Sequence, residues 1–318
     1  MLRIAVIDDF QRAAAAFLPW DELGPGVVDV TYFHDHLRDI DALAERLAPF
    51  DALIVTRERT RFPRELLTRL PGLRLLVSTG MGTAHIDVEA TRELGIVVSG
   101  TAGSAGVPVE MTWALILELV RGTAGQDEAV RAGAWGTTVP LDLAGATLGL
   151  AGLGRLGRRV GAVGAAFGMD VIAWSQNLTP EAAAAGGARA VDKATLMRES
   201  DVLSVHLVLS DRSRGLFGAA DLALLKPTAY LVNTSRGPII DEAALVEVLQ
   251  ARRIGGAGLD VFDIEPLPAD HPLRSTPRTV LSPHVGYVSQ RAYDAFYGEA
   301  AENVAAFLAG VPIRVLNA

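Results

Sequence analysis

Cysteine is absent from the 318 residues. That absence excludes disulfides, thiolate nucleophiles and cysteine-ligated metal together. Basic charge is also scarce, with 29 Lys and Arg against 37 Asp and Glu and a net charge of −8. Binding a phosphate backbone needs a basic face. Basic residues gather here only in short groups such as Arg57, Arg59 and Arg61, so no nucleic-acid partner is expected. No apolar run approaches the roughly 18 residues that a membrane span requires. Long polar or single-sign tracts are missing as well, which argues against disorder. Met1 leads straight into Leu2-Arg3-Ile4-Ala5-Val6-Ile7 rather than into a leader layout, so the expected location is cytoplasmic, without a membrane.

What is present suits a globular α/β protein. Hydrophobic residues make up 50% and charged residues 21% of the chain, and its length favours two domains. Short, nearly continuous apolar strands are expected at 2–7, 27–33, 51–55, 73–78 and 96–98. Amphipathic helices are expected at 11–18, 39–47, 64–70 and 87–94. The pattern breaks at Gly100–Pro108, which reads as a flexible crossing. An apolar helix over Val109–Val120 follows, then a polar, turn-rich stretch through Trp135. A second alternation begins at Ala146, with strands at 147–151, 170–174, 202–206, 229–233, 257–261 and 279–281. A helix over 290–308 closes the chain. Strands buried on both faces belong to parallel sheets, so each half reads as a doubly wound sheet.

The loop after the first strand of the second half carries G-x-G-x-x-G at Gly152, Gly154 and Gly157. The first glycine permits a tight turn, the second lets a pyrophosphate approach the backbone, and the third lets helix and strand pack closely. A helix opening at Arg155 and Leu156 offers free N–H groups and its positive dipole end to that pyrophosphate. The motif alone is weak in a chain with 32 glycines. Its position between a strand and a helix, with a second strand ending at Trp174, is the confirming context. A carboxylate at the end of that second strand would hold a ribose 2′-hydroxyl, and an arginine would accept a 2′-phosphate. Ser175-Gln176-Asn177 provides neither, so NAD and NADP both stay open.

Three polar segments follow apolar strands: Asn233-Thr234-Ser235-Arg236-Gly237, Asp260-Val261-Phe262-Asp263-Ile264-Glu265-Pro266 and Ser282-Pro283-His284-Val285-Gly286. Strand C-terminal ends line the ligand crevice of such sheets, so an arginine, a carboxylate and a histidine are expected to converge. Reduction of a carbonyl group by a dinucleotide builds charge on the carbonyl oxygen and needs a positioned proton donor. Histidine suits that task, and the planar fork of arginine suits a carboxylate.

These four motifs, in this order and spacing, closely resemble the D-2-hydroxyacid dehydrogenases over essentially the whole chain. The resemblance implies two doubly wound parallel-sheet domains, a Rossmann cofactor domain inserted in a flavodoxin-like substrate domain. Residues 103–285 would bind the dinucleotide, while 1–102 and 286–318 would form the discontinuous substrate domain, closing over the substrate. It implies that Arg236 holds the substrate carboxylate and polarises the ketone, that His284 is the acid/base, and that Glu265 is its carboxylate partner. Asp260 would face the nicotinamide carboxamide, and Thr234 and Ser175 would lie along the cofactor. Gly80, Met81 and Gly82 would bind the substrate carboxylate, with Arg57 facing the substrate or lying on a solvated loop. The expected substrate is a small 2-keto or 2-D-hydroxy acid, with glyoxylate or hydroxypyruvate as first guess. A homodimer through the Val109–Val120 region is also implied. The alternative is a nicotinamide-gated binding protein of the corepressor type without turnover.

Other residues carry less. His34 and His36 flank Asp35, but histidines at this spacing more often sit on a solvated loop, and no metal is expected without three or four converging ligands. His85, before a helix start, reads as structural, and His206 as lining the cofactor cleft. Trp135 and Tyr287 are candidate pocket walls.

Overall fold

A computed structural model describes residues 1–103, 106–136 and 138–318. The chain divides into two compact units, Met1–Ser104 with Val288–Ala318, and Ala105–Tyr287. The crossing expected at Gly100–Pro108 includes Ser104 and Ala105, which lie outside the described residues.

The first unit holds five parallel strands: β1 (Leu2–Ile7), β2 (Val28–Tyr32), β3 (Ala52–Val55), β4 (Leu75–Ser78) and β5 (Val97–Gly100). Their order is β2-β1-β3-β4-β5, the flavodoxin-like arrangement, with Ile4 of β1 opposite both Val30 and Ala52. β3, Ala-Leu-Ile-Val, is buried at every position because helices cover both faces. β2, at the edge, alternates half-buried and exposed residues as Val-Asp-Val-Thr-Tyr. The helices Ile40–Leu47 and Val88–Glu93 begin at Asp39 and Asp87, whose carboxylates accept from the N–H groups of Ala42 and Ala90. The closing helix Gln290–Leu308 docks on this unit and buries Tyr293, Phe296 and Tyr297. Beyond it, Leu316 N–H donates to Val98 and Gly100 N–H to Arg314, so the tail covers the edge of β5.

The second unit holds seven parallel strands: β6 (Thr147–Ala151), β7 (Asp170–Trp174), β8 (Arg189–Ala190), β9 (Val202–Val205), β10 (Tyr230–Asn233), β11 (Gly256–Leu259) and β12 (Thr279–Leu281). Their order, β12-β11-β10-β9-β6-β7-β8, reverses direction between β6 and β9, as in a Rossmann sheet with one added strand. The apolar helix runs over Val107–Arg121 and packs on β10, β11 and β12. Trp113, Leu115, Ile116 and Val120 are buried there, so its apolar content is explained within its own unit.

Two local expectations are corrected. The stretch after that helix is not only turns, because Thr123–Arg131 is helical. None of its residues is buried, so it has no hydrophobic stripe for a sequence reading to find. Capping bonds from Thr123 and Ala124 to the Glu118 carboxylate and an Asp127–Arg131 pair at 2.8 Å support it instead. The two-residue edge strand β8 was not anticipated either, being too short to show alternation. Among the described residues no helix is long and apolar enough to cross a membrane.

Candidate active site

The glycine loop leaves β6 and enters the helix Arg155–Ala166. Gly152 adopts φ +102, and a side chain there would press on the His206 carbonyl at 2.6 Å. A methyl on Gly157 would overlap the Gly152 carbonyl oxygen, whereas one on Gly154 would meet no atom within 4 Å. The middle glycine thus faces open space, while its two neighbours are closed against protein. No side chain caps the helix, so its first N–H groups remain available to an anion beside Arg155 and Leu156. Ser175 follows β7 in a turn closed by Leu178 N–H at 3.1 Å, with Gln176 and Asn177 exposed. These features fit a dinucleotide.

The arginine is delivered by a constrained turn after β10. Asn233, almost fully buried, accepts from Ser235 N–H at 3.0 Å and donates to the Arg236 carbonyl at 3.0 Å. Ser235 donates to Val205 of the neighbouring strand at 2.9 Å. Any Cβ on Gly237 would collide with the Phe262 carbonyl, so the turn lies directly on the loop that carries Glu265. Thr234 pairs its hydroxyl with that of Thr112 at 2.8 Å.

Glu265 and His284 form one assembly. Glu265 Oε1 accepts from Phe262 N–H at 2.8 Å, while Oε2 lies 2.5 Å from His284 Nδ1. Both side chains are about three-quarters buried, at 28% and 23% exposure. His284 sits at φ +52, and Tyr287 meets its ring edge-on at 5.8 Å. Beneath it, Asp260 is buried and accepts from Val285 N–H at 3.0 Å and Gly286 N–H at 2.8 Å. Asp260 therefore clamps the loop just after the histidine, with a second lone pair left on each oxygen.

Residues 113–286 match the family of D-isomer specific 2-hydroxyacid dehydrogenases through its NAD binding domain. The chain is 39% identical to a glyoxylate reductase from Aeropyrum pernix over 288 residues, 87% of this chain and 86% of that one. It is 30% identical to a hydroxypyruvate reductase from Blautia hydrogenotrophica over 99% of this chain and 100% of the relative. A solved phosphoglycerate oxidoreductase from Vibrio cholerae superposes with a TM-score of 0.91 at 38% identity, covering 98% of this chain and 100% of that one. This chain belongs to the D-isomer-specific 2-hydroxyacid dehydrogenase family. It is an NAD(P)-dependent oxidoreductase acting on 2-hydroxy acids.

The dehydrogenase's first unit holds the remaining candidates. Gly80 has φ +123 and donates its N–H to buried Thr101 at 2.9 Å. Among the described residues, no backbone oxygen accepts from the Met81 or Gly82 N–H. Arg57 lies at φ +53, its N–H donates to Thr79 at 2.8 Å, and its guanidinium lies over Gly80. Glu58 sits beside Gly82.

One histidine reading, that of His36, needs revision. His36 is not solvated: its side chain is 10% exposed and its Nδ1 lies 2.8 Å from Asp8. His34 pairs with Asp9 at 3.4 Å. His206 bonds Ser204 at 2.9 Å, and desolvation pushes its imidazole down to about 4. His85 is 6% exposed, with burial pushing it down to about 4. Trp135 is 87% exposed. Asn233 and Gly237, which shape the arginine turn, were not singled out from sequence, although both sit in the motif segment itself. Among the described residues no group of three or more His, Asp or Glu is arranged to hold a metal ion.

Proposed function

We propose that this dehydrogenase reduces a small 2-keto acid, glyoxylate or hydroxypyruvate in type, to the D-2-hydroxy acid with NADH or NADPH. The observation that carries this reading is the contact of His284 Nδ1 with Glu265 at 2.5 Å. With Nδ1–H given to the carboxylate, the proton that can move is on Nε2. His284 Nε2 would protonate the ketone oxygen as the carbonyl carbon becomes an alcohol carbon. In the reverse direction it would remove the same proton. Arg236 would hold the substrate carboxylate with its fork and draw electron density toward the ketone oxygen. The nicotinamide, when bound, supplies or accepts the hydride.

Gly152, Gly154, Arg155, Leu156 and Gly157 would hold the pyrophosphate, with Ser175 at the adenosine ribose and Thr234 along the cofactor. Asp260 would support the nicotinamide carboxamide while anchoring the His284 loop. The neutral Ser175-Gln176-Asn177 turn neither attracts nor repels a 2′-phosphate by charge, which favours use of both cofactors. Residues 103–285 would serve as the cofactor domain, and 1–102 with 286–318 as the substrate domain. In the latter, the N–H groups of Met81 and Gly82, with Gly80, would receive a carboxylate, and Arg57 would add positive charge.

A second copy of the chain is the proposed partner. The helix region Val109–Val120 is mostly committed to its own core, but the following segment leaves Trp135 87% and Val139 99% exposed. Exposed apolar side chains of this size suit an interface.

The test is oxidation of NADH and of NADPH by a panel of 2-keto acids. Reduction of glyoxylate or hydroxypyruvate supports the substrate reading, and turnover of only bulky acids contradicts it. Cofactor binding without turnover of any acid would favour the nicotinamide-gated binding protein instead.

A further inference from the structure

In a sheet ordered β2-β1-β3-β4-β5, the chain reverses direction between β1 and β3, and ligands bind outside the strand ends at such a point. The residues that leave those two ends are unusual. Asp8, just after β1, lies at φ +59, and Arg57, just after β3, at φ +53. Neither is glycine, and left-handed backbone at such residues is held only where surroundings enforce it.

The enforcing contacts are visible. Asp8 is 1% exposed, and Thr60, itself buried, donates its hydroxyl to Asp8 Oδ2 at 2.6 Å. His36 Nδ1 lies 2.8 Å from Oδ1, and the Asp8 carbonyl accepts from the Arg59 guanidinium. One residue therefore grips both the middle and the end of the loop from Thr56 to Thr60. That loop in turn grips the next one, because Arg57 N–H donates to Thr79 and the Arg57 guanidinium lies over Gly80.

The neighbouring carboxylate does something different. Asp9 accepts from Ala13 N–H at 2.9 Å and Ala14 N–H at 3.3 Å, holding the segment that leads into the short helix, and lies 3.4 Å from His34 Nδ1. Those contacts stay close to its own strand end. The Asp8 side chain instead reaches across to the loop after a neighbouring strand.

We propose that Asp8 is a positioning residue for substrate binding: through Thr60 it holds Arg57 against Gly80 and so sets the shape of the loop at residues 80–82. The inference rests on the reading above that Arg57 and residues 80–82 meet the substrate carboxylate. Losing the Thr60–Asp8 bond frees the arginine loop without removing any group that would touch substrate. Binding of the keto acid then weakens, while the Glu265–His284 pair keeps its own contacts.

The variants are Thr60→Val, which keeps shape and removes the hydroxyl, Thr60→Ser, which restores it, and Asp8→Asn. Asp9→Asn serves as the structural control. Thr60→Val is expected to raise KM for the keto acid about tenfold, the scale of one charge-assisted hydrogen bond, and Asp8→Asn, whose amide oxygen still accepts from Thr60 but carries no charge, to raise it less, with kcat and the cofactor Kd little changed. Thr60→Ser is expected to recover the original KM. Asp9→Asn is expected to lower Tm without moving KM. Hydrogen exchange supplies a readout that needs no turnover: amides at 56–60 and 79–82 should exchange faster in Thr60→Val, with β1 and β3 protected as before. Unchanged exchange at 79–82 overturns the inference, even if no 2-keto acid is reduced and the functional reading has itself failed. Faster exchange with an unmoved KM in an active enzyme also overturns it, and leaves the dehydrogenase reading intact.

Discussion

Glu265 holds His284 from below its Nδ1 at 2.5 Å, and is itself held by the Phe262 N–H at 2.8 Å. The histidine's orientation thus depends on a carboxylate whose second oxygen is already committed to backbone. Its loop is fixed independently by Asp260, through the N–H groups of Val285 and Gly286. Ring direction and loop position are therefore set by two different acids.

That division predicts separable losses. Glu265→Gln keeps the shape but gives up the charge beside the imidazole. Its kcat should fall by about 10- to 100-fold, the scale of losing a carboxylate that orients a working imidazole, with cofactor affinity unchanged. Steady-state kinetics with cofactor titration checks this. An unchanged kcat would remove Glu265 from the mechanism.

The glycine loop predicts opposite behaviour at neighbouring positions. Gly154→Ala adds a methyl where no atom lies within 4 Å, at a backbone φ of −77 that any residue adopts. Tm should hold while the cofactor Kd rises. Gly157→Ala drives its methyl into the Gly152 carbonyl, and should cost about 1–3 kcal/mol of stability before cofactor is considered. Thermal melts with and without cofactor distinguish the two cases.

Burial of His85 predicts a pH dependence of stability. Its imidazole is held down to about 4, against 6.5 for the unperturbed group. Between those values the unfolded chain takes up a proton that the folded chain refuses. Stability is thus fully present above pH 6.5 and falls as pH drops toward 4, by about 3 kcal/mol at most. His85→Leu should show a shallower fall in that window. Equal slopes for the two proteins would contradict the assignment.

Trp135 and Val139 predict a concentration-dependent association. The double substitution Trp135→Ala, Val139→Ser should shift the protein toward monomer in sedimentation velocity, with Tm little changed because both side chains lie on the surface. An unchanged mass would place the interface elsewhere.

Much of this was legible in the sequence because it is local. β1, β6, β7 and β12 span the residues that apolar patterning marks, and the glycine loop falls between strand and helix as its motif requires. The four ordered motifs resemble the family that the chain belongs to. What escaped the sequence depends on distant partners or on absent patterns. The bonds of Asp260 to Val285 and Gly286 join loops after different strands, and the Asp8–Thr60 bond joins the loops after β1 and β3. His36 reads as solvated in the sequence because its partner Asp8 lies 28 positions back in the chain. The helix Thr123–Arg131 buries no residue and so left no periodic signal.

The most direct test of the account is His284→Ala against the parent protein, with NADH or NADPH oxidation and cofactor binding measured on the same preparations. The account predicts a fall in kcat of about 10²- to 10⁴-fold, with cofactor affinity and Tm close to those of the parent. Retention of most of the activity by His284→Ala would contradict it.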